Sequence, residues 1–123
     1  MSGNNIVLDT NICLYLLNGE APIVEYLRDK SFYISIINEI EILGFGDISK
    51  SEETAINFFL EDCNILDINK GIKDISISLR KKYRIKLPDA IIAATAVFLN
   101  IPLISADKVF DRIAELNVVL YEP

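Results

Sequence analysis

Asn5-Ile6-Val7-Leu8-Asp9-Thr10-Asn11-Ile12 is the stretch that decides the fold. Residues 5–8 form a short apolar run that stops at an acid, the pattern of a buried strand. From Thr10 to Asn18 the apolar residues Ile12, Tyr15 and Leu16 recur at helical spacing, and Gly19 supplies a stop signal. A buried strand running straight into a helix is half of a βαβ unit, which predicts a parallel sheet.

The rest of the chain continues this alternation. Residues 20–30 read as a second amphipathic helix, with Ile23, Tyr26 and Leu27 inward. Residues 32–36 (FYISI) read as a strand, followed by helical spacing through Ile37, Ile40 and Leu43 that Gly44 and Gly46 interrupt. Ser51 is expected to cap the next helix, whose apolar face carries Ala55, Phe58 and Phe59. Residues 64–68 (NILDI) read as the third strand. Residues 70–83 read as a helix with Ile72, Ile75 and Leu79 on one face. Pro88 then opens an alanine-rich helix over 89–99, and proline suits a first helical position. Residues 102–105 and 118–121 are the fourth and fifth strands, with a short helix at 109–116 between them. The pattern predicts a three-layer α/β/α sandwich around a parallel sheet of four to five strands. With neither repeat nor linker in view, residues 1–123 are expected to form a single domain.

Composition narrows the chemistry. The chain contains no histidine, which removes histidine general bases, Ser-His-Asp triads and histidine-based zinc sites. Hydrolysis would have to rest on carboxylates, hydroxyls, lysines or a metal held by oxygen. Cys13 and Cys63 lack metal-ligand spacing and read as two free thiols. No apolar run reaches the roughly 20 residues of a membrane span. Nothing at the N-terminus resembles an export signal, so a cytoplasmic protein is expected.

In open α/β sheets, ligands bind beyond the carboxyl ends of the strands. Three acids fall there: Asp9 after the first strand, Asp67 at the third and Asp107 after the fourth. Each also reads as a helix cap or turn former. Asp89 heads a helix that is otherwise almost wholly apolar. It complements the helix dipole there, and so apolar a helix is expected to be central, with its N-terminus near a cleft. Glu39 and Glu41 both flank the stripe of Ile36, Ile37, Ile40 and Leu43, and periodicity does not choose between them. Carboxylates that converge without a basic partner resist joint ionisation. A hard divalent cation relieves that, and oxygen-only ligands suit Mg²⁺ or Mn²⁺.

Four stretches, in order, resemble the PIN-domain family, and most closely the VapC-type toxins of prokaryotic toxin–antitoxin pairs. These are Val7-Leu8-Asp9-Thr10-Asn11 with Tyr15 and Leu17, then Ile34 to Glu41 (ISIINEIE), Leu87 to Ala96 (LPDAIIAATA) and Leu103 to Phe110 (LISADKVF). The resemblance runs essentially end to end. The family's second acid falls six residues after the serine, which selects Glu41 over Glu39. The resemblance implies Asp9, Glu41, Asp89 and Asp107 as metal ligands, with Asp107 at the family's most variable acid. It implies Ser105 as a support for that last acid, and Thr10 and Asn11 as supporting residues of the first motif. It implies Mg²⁺- or Mn²⁺-dependent endoribonuclease activity, in which a metal-activated water held by the carboxylates hydrolyses RNA phosphodiesters. It further implies a homodimer and a cognate antitoxin that inserts a segment near the acidic pocket. Asp111 reads as a plain surface acid.

The formal charge of −6 is a departure from many such toxins and argues against phosphate contact. The local pattern differs. Arg80-Lys81-Lys82-Tyr83-Arg84-Ile85-Lys86 holds five of the twelve basic residues and runs directly into Leu87-Pro88-Asp89. Lys82, Arg84 and Lys86 read as a phosphate rail for RNA, with Tyr83 available to stack on a base. A solvated helix end complementing its own dipole is the plainer reading of the same run.

Two other functions fit parts of the sequence. A receiver-like signalling domain would use Asp67 as phosphoacceptor and Lys108 as its charge partner. However, receivers carry an adjacent acidic pair where this chain has Asp9 alone. A PIN-fold binding protein without catalysis is the other alternative, and retention of all four acids argues against it.

Overall fold

The computed structural model describes residues 3–123. The elements are β1 (Asn5–Leu8), α1 (Thr10–Leu17), α2 (Ala21–Tyr26), β2 (Ser31–Ser35), α3 (Ile36–Leu43) and α4 (Lys50–Glu61). They continue with β3 (Asn64–Leu66), α5 (Lys70–Tyr83), α6 (Leu87–Leu99), β4 (Leu103–Ser105), a 3-10 turn (Lys108–Arg112) and β5 (Val118–Leu120). All five strands are parallel, in the order β3-β2-β1-β4-β5. The three-layer α/β/α expectation is therefore met.

Strand periodicity builds the two outer layers. In β1, Val7 faces one side while Ile6 and Leu8 face the other, as alternating side chains must. Val7 and Leu103 pack with Ile72 and Leu79 of α5, with α6, and with Phe110. Ile6, Leu8, Ile34 and Ile104 pack with Ile12 of α1, Ile23 of α2, Ile42 of α3 and Ile56 and Leu60 of α4. Each such side chain contributes about 1.5–3 kcal/mol when fully buried. Helix α6 is buried at every position from Ala90 to Ala96. A helix that is apolar all round belongs in the interior, so its N-terminal turn is delivered to the sheet's carboxyl edge.

Several local expectations change. Helix α2 ends at Tyr26, because the chain turns through Asp29 at φ 66°, and Tyr26 is exposed while Ile23 and Leu27 are buried. Ser49, not Ser51, caps α4. Its hydroxyl accepts from Glu52 N, and the Glu52 carboxylate accepts from Ser49 N in return. Ser51 would place Thr54 three residues on, with no carboxylate or amide to complete that reciprocal box. The inward face of α4 is then Ile56 and Leu60 with part of Phe59, and Ala55 and Phe58 face outward. The segment after β4 forms a 3-10 turn rather than a helix reaching residue 116. Cys13 and Cys63 are free thiols, as expected.

The strand order removes the receiver reading. Receivers carry the order 2-1-3-4-5, with the third strand beside the first. Here β2 and β1 separate β3 from β4. Asp67 beyond β3 and Lys108 beyond β4 thus stand three strand spacings apart, about 14 Å.

Candidate active site

Strand β1 is central, and its neighbours β2 and β4 lead the chain in opposite directions across the sheet. The crevice between β1 and β4 is a topological switch point, where α/β sheets bind ligands. Asp9 leaves β1 at that point and Ser105 ends β4 beside it. The Asp9 backbone N–H donates to Ile104 O at 3.0 Å. One Asp9 carboxylate oxygen accepts from Thr10 N at 2.8 Å, and the other accepts from the Ser105 hydroxyl at 2.6 Å. Asp9 is only 6% exposed. Burial raises its carboxyl to a pKa of about 6. The Ser105 and Thr10 hydrogen bonds oppose that rise, and the charges of Asp89 and Glu41 add to it.

Asp89 sits in the first turn of α6, directly after Pro88. Its pKa is raised by burial, then by the charges of Asp107 and Glu41, while the nearby Lys86 ammonium lowers it. Glu41 projects from α3, and its Oε1 accepts from the Thr10 hydroxyl at 2.5 Å. The structure therefore places Glu41 at the site and Glu39 outside it. An open cleft of about 820 Å³ is lined by Asp9, Thr10, Asn11, Glu41 and Asp89. Asp107 does not line this cleft, although its charge reaches Asp89. One Asp107 oxygen accepts from Val109 N at 3.0 Å, which is the capping role open to it from the sequence. Ser105 supports the first acid through its carboxylate and the last through its backbone. Its hydroxyl donates to Asp9 and accepts from the Asp107 backbone N–H at 2.9 Å. Asn11 Oδ1 accepts from Ala106 N at 3.3 Å, tying α1 to the turn after β4. Asp67 is exposed beyond the third strand and does not line the cleft.

The donor set fits a hard cation. Every acid offered is an oxygen donor, and neighbouring carboxylates add to the raised pKa values of Asp9 and Asp89. Among the described residues, no three carboxylates converge closely enough to cage a metal by themselves. That openness suits Mg²⁺, which keeps several waters and takes one or two protein carboxylates together with substrate phosphates.

The basic run divides. Lys82 Nζ donates to Glu115 at 3.0 Å, and the Tyr83 hydroxyl donates to the same carboxylate at 2.5 Å. Tyr83 also accepts from Ala114 N, and its carbonyl accepts from Arg112. These two side chains clasp α5 to the segment before β5. Arg84 is exposed in a left-handed conformation at the end of α5, and the charge of the exposed Lys86 reaches Asp89. One residue of the site escaped sequence reasoning. Asn38 is fully buried between Ser35 and Thr10, and the Ser-x-x-Asn spacing of a capping box was its available signal.

Residues 6–116 match the model of the PIN domain. A toxin–antitoxin complex from Klebsiella pneumoniae contains a chain 32% identical to this one, at a TM-score of 0.82, covering 96% of this chain and 99% of that one. VapBC-1 from nontypeable Haemophilus influenzae is 29% identical at a TM-score of 0.77, covering 94% and 97%. VapBC2 from Rickettsia felis, bound to a promoter DNA fragment, is 24% identical and shares the fold at a TM-score of 0.81, covering 96% and 99%. Comparison with curated proteins returned no match. On the sequence match, the shared fold and the position of the acids at the sheet's switch point, this chain belongs to the PIN domain family.

Proposed function

We propose that residues 1–123 form one PIN domain that acts as a divalent-metal-dependent endoribonuclease, the toxin of a toxin–antitoxin pair. The observation that carries this reading is the meeting of Asp9, Glu41 and Asp89 in one cleft at the switch point of the sheet. Perturbed carboxyl groups gathered in a cleft mark functional sites more often than structural ones. Similarity to chains of toxin–antitoxin complexes supports the biological role.

Asp9, Glu41, Asp89 and Asp107 are the proposed acids of a Mg²⁺ or Mn²⁺ site, of which one or two would hold the cation directly and the rest would act through its waters. Such a cation, when bound, neutralises the acids and activates water for in-line attack on a phosphodiester. Thr10 N and Ser105 orient both oxygens of Asp9, and the Thr10 hydroxyl orients Glu41. Lys86 and Arg84, both exposed in the segment that leads into Asp89, offer positive charge to the RNA backbone, whereas Lys82 is engaged with Glu115. The exposed Ile40 and Phe45 line the same cleft and offer an apolar seat for a segment of a cognate antitoxin. A cytoplasmic homodimer completes the reading by family resemblance. Among the described residues, no helix is long and apolar enough to cross a membrane.

The deciding experiment expresses wild type and Asp9→Asn inducibly in a bacterium and maps RNA ends. New ends and arrested growth with wild type alone are expected. Equal cleavage by Asp9→Asn and Asp89→Asn in Mg²⁺ or Mn²⁺ would overturn the proposed site. Metal binding without any cleavage would leave a binding protein instead.

A further inference from the structure

Helix α3 is turned away from its most apolar stripe. Ile40 is 60% exposed, while Asn38 and Ile42 are buried. A buried amide is tolerated only when its polar atoms are matched. Asn38 Oδ1 accepts from Ser35 N at 2.8 Å, and Asn38 Nδ2 donates to Thr10 Oγ1 at 2.9 Å. The backbone N–H of Ser35 can only donate, so the amide oxygen must face it and the amide nitrogen must face Thr10. The Thr10 oxygen is then an acceptor toward Asn38, and its own proton is free to go to Glu41, 2.5 Å away. Each bond has a determined direction, from Ser35 at the end of β2, through Asn38 and Thr10, to the carboxylate. Asn38 and Glu41 are one helical turn apart, so both reach Thr10 from the same side of α3.

We propose that Asn38 is a positioning residue for the metal site, holding the Thr10 hydroxyl so that it presents its proton to Glu41. This inference rests on reading the acids as a divalent-cation site. Hydrogen-bonding partners of ligands orient them and tune metal affinity. A residue with a merely structural part in α3 would change stability without coupling to Thr10.

Calorimetric titration of the full chain with Mn²⁺ alone tests this, using wild type, Asn38→Ala, Thr10→Val and the double variant. Each single substitution is expected to weaken Mn²⁺ binding roughly ten- to a hundredfold. The double variant is expected to bind no more weakly than Thr10→Val, because the two residues act in series. Unchanged binding by Asn38→Ala, or losses that multiply in the double variant, would overturn the inference. Asn38→Asp keeps an acceptor for Ser35 N–H but offers Thr10 a second acceptor in place of a donor, and it serves if Asn38→Ala does not fold. Its added negative charge favours a cation, so weakened binding supports the inference and unchanged or tightened binding overturns it. Asp9→Asn distinguishes loss of the metal site from loss of the positioning role of Asn38. If wild type and Asp9→Asn bind Mn²⁺ alike, the metal-site reading falls and the inference with it. If only Asp9→Asn loses binding, the inference alone falls.

Discussion

The Ser105 hydroxyl donates to Asp9 Oδ2 across 2.6 Å, joining residues 96 positions apart in the chain. It holds a buried carboxylate at the point where β1 and β4 diverge, and Ser105 Oγ in turn accepts from Asp107 N. Ser105→Ala removes both links. Hydrogen bonds to charged groups contribute about 1.5–3 kcal/mol. The variant is expected to fold with lower stability at neutral pH and to bind Mn²⁺ more weakly. Urea unfolding and metal titration check the two effects separately.

Asp9 makes metal-free stability depend on pH. Its carboxyl titrates at about 6 in the fold against 3.8 for the unperturbed group. Between those values the folded state binds more protons than the unfolded state, so stability falls as pH rises. This contribution is fully present below the unfolded value and is lost by the time pH passes 6. The cost at pH 7 is on the order of 3 kcal/mol. In a chelator, wild type is expected to be more resistant to urea at pH 5 than at pH 7.5. Asp9→Asn should flatten that difference and be the more stable protein at pH 7.5. An unchanged pH slope in Asp9→Asn would refute the assignment.

Divalent cations should reverse the cost. Binding to the folded state alone stabilises by about 2.7 kcal/mol at a hundred times the dissociation constant. Thermal unfolding of wild type at pH 7.5 is expected to move upward with added Mn²⁺ or Mg²⁺, and that of Asp9→Asn to move far less. Equal shifts in the two proteins would mean that the cation binds elsewhere.

The two ends of the basic run should behave differently toward RNA. Lys82 is held by Glu115, whereas Lys86 is exposed and its charge reaches Asp89. Lys86→Ala is expected to weaken RNA cleavage several-fold, with a smaller dependence on salt than wild type, because a phosphate contact is lost. Lys82→Ala should leave cleavage close to wild type. Cleavage rates at low and moderate salt distinguish them, and the reverse order of effects would contradict the assignment.

Arg84 provides a case in which stability and activity separate. Its φ of 56° lies in the left-handed region, which costs a residue bearing a side chain about 1 kcal/mol relative to glycine. Arg84→Gly is expected to raise the melting temperature while lowering RNA cleavage, through the loss of one positive charge from the exposed basic run that leads into Asp89. Calorimetry and a cleavage assay on one preparation test both directions.

Much of this molecule was legible in its sequence because the signals are local. The apolar run ending at Asp9 marked β1, and the apolar length of α6 marked a central helix carrying Asp89 to the sheet edge. The resemblance to PIN domains selected Glu41, and in the fold it is Glu41 that meets Thr10 and lines the cleft. The limits are equally specific. Ala55, Phe58 and Phe59 match helical spacing as well as Ile56 and Leu60 do, and only packing against the sheet selects the inward face. Ile40 continues the apolar stripe of α3, yet the buried Asn38 turns that stripe toward the cleft.

By itself the sequence determined the alternation of strands and helices, the absence of histidine and the candidate acids, because periodicity and composition are properties of neighbours along the chain. Tertiary structure decided which acids meet across a cleft, that Ser105 joins the Asp9 carboxylate to the Asp107 backbone, and that Lys82 is engaged with Glu115. Those outcomes depend on strand order and helix rotation, which place residues up to 96 positions apart within hydrogen-bonding distance. Asp9, a chain-local strand end in the sequence, becomes in three dimensions the buried carboxylate around which the site is organised.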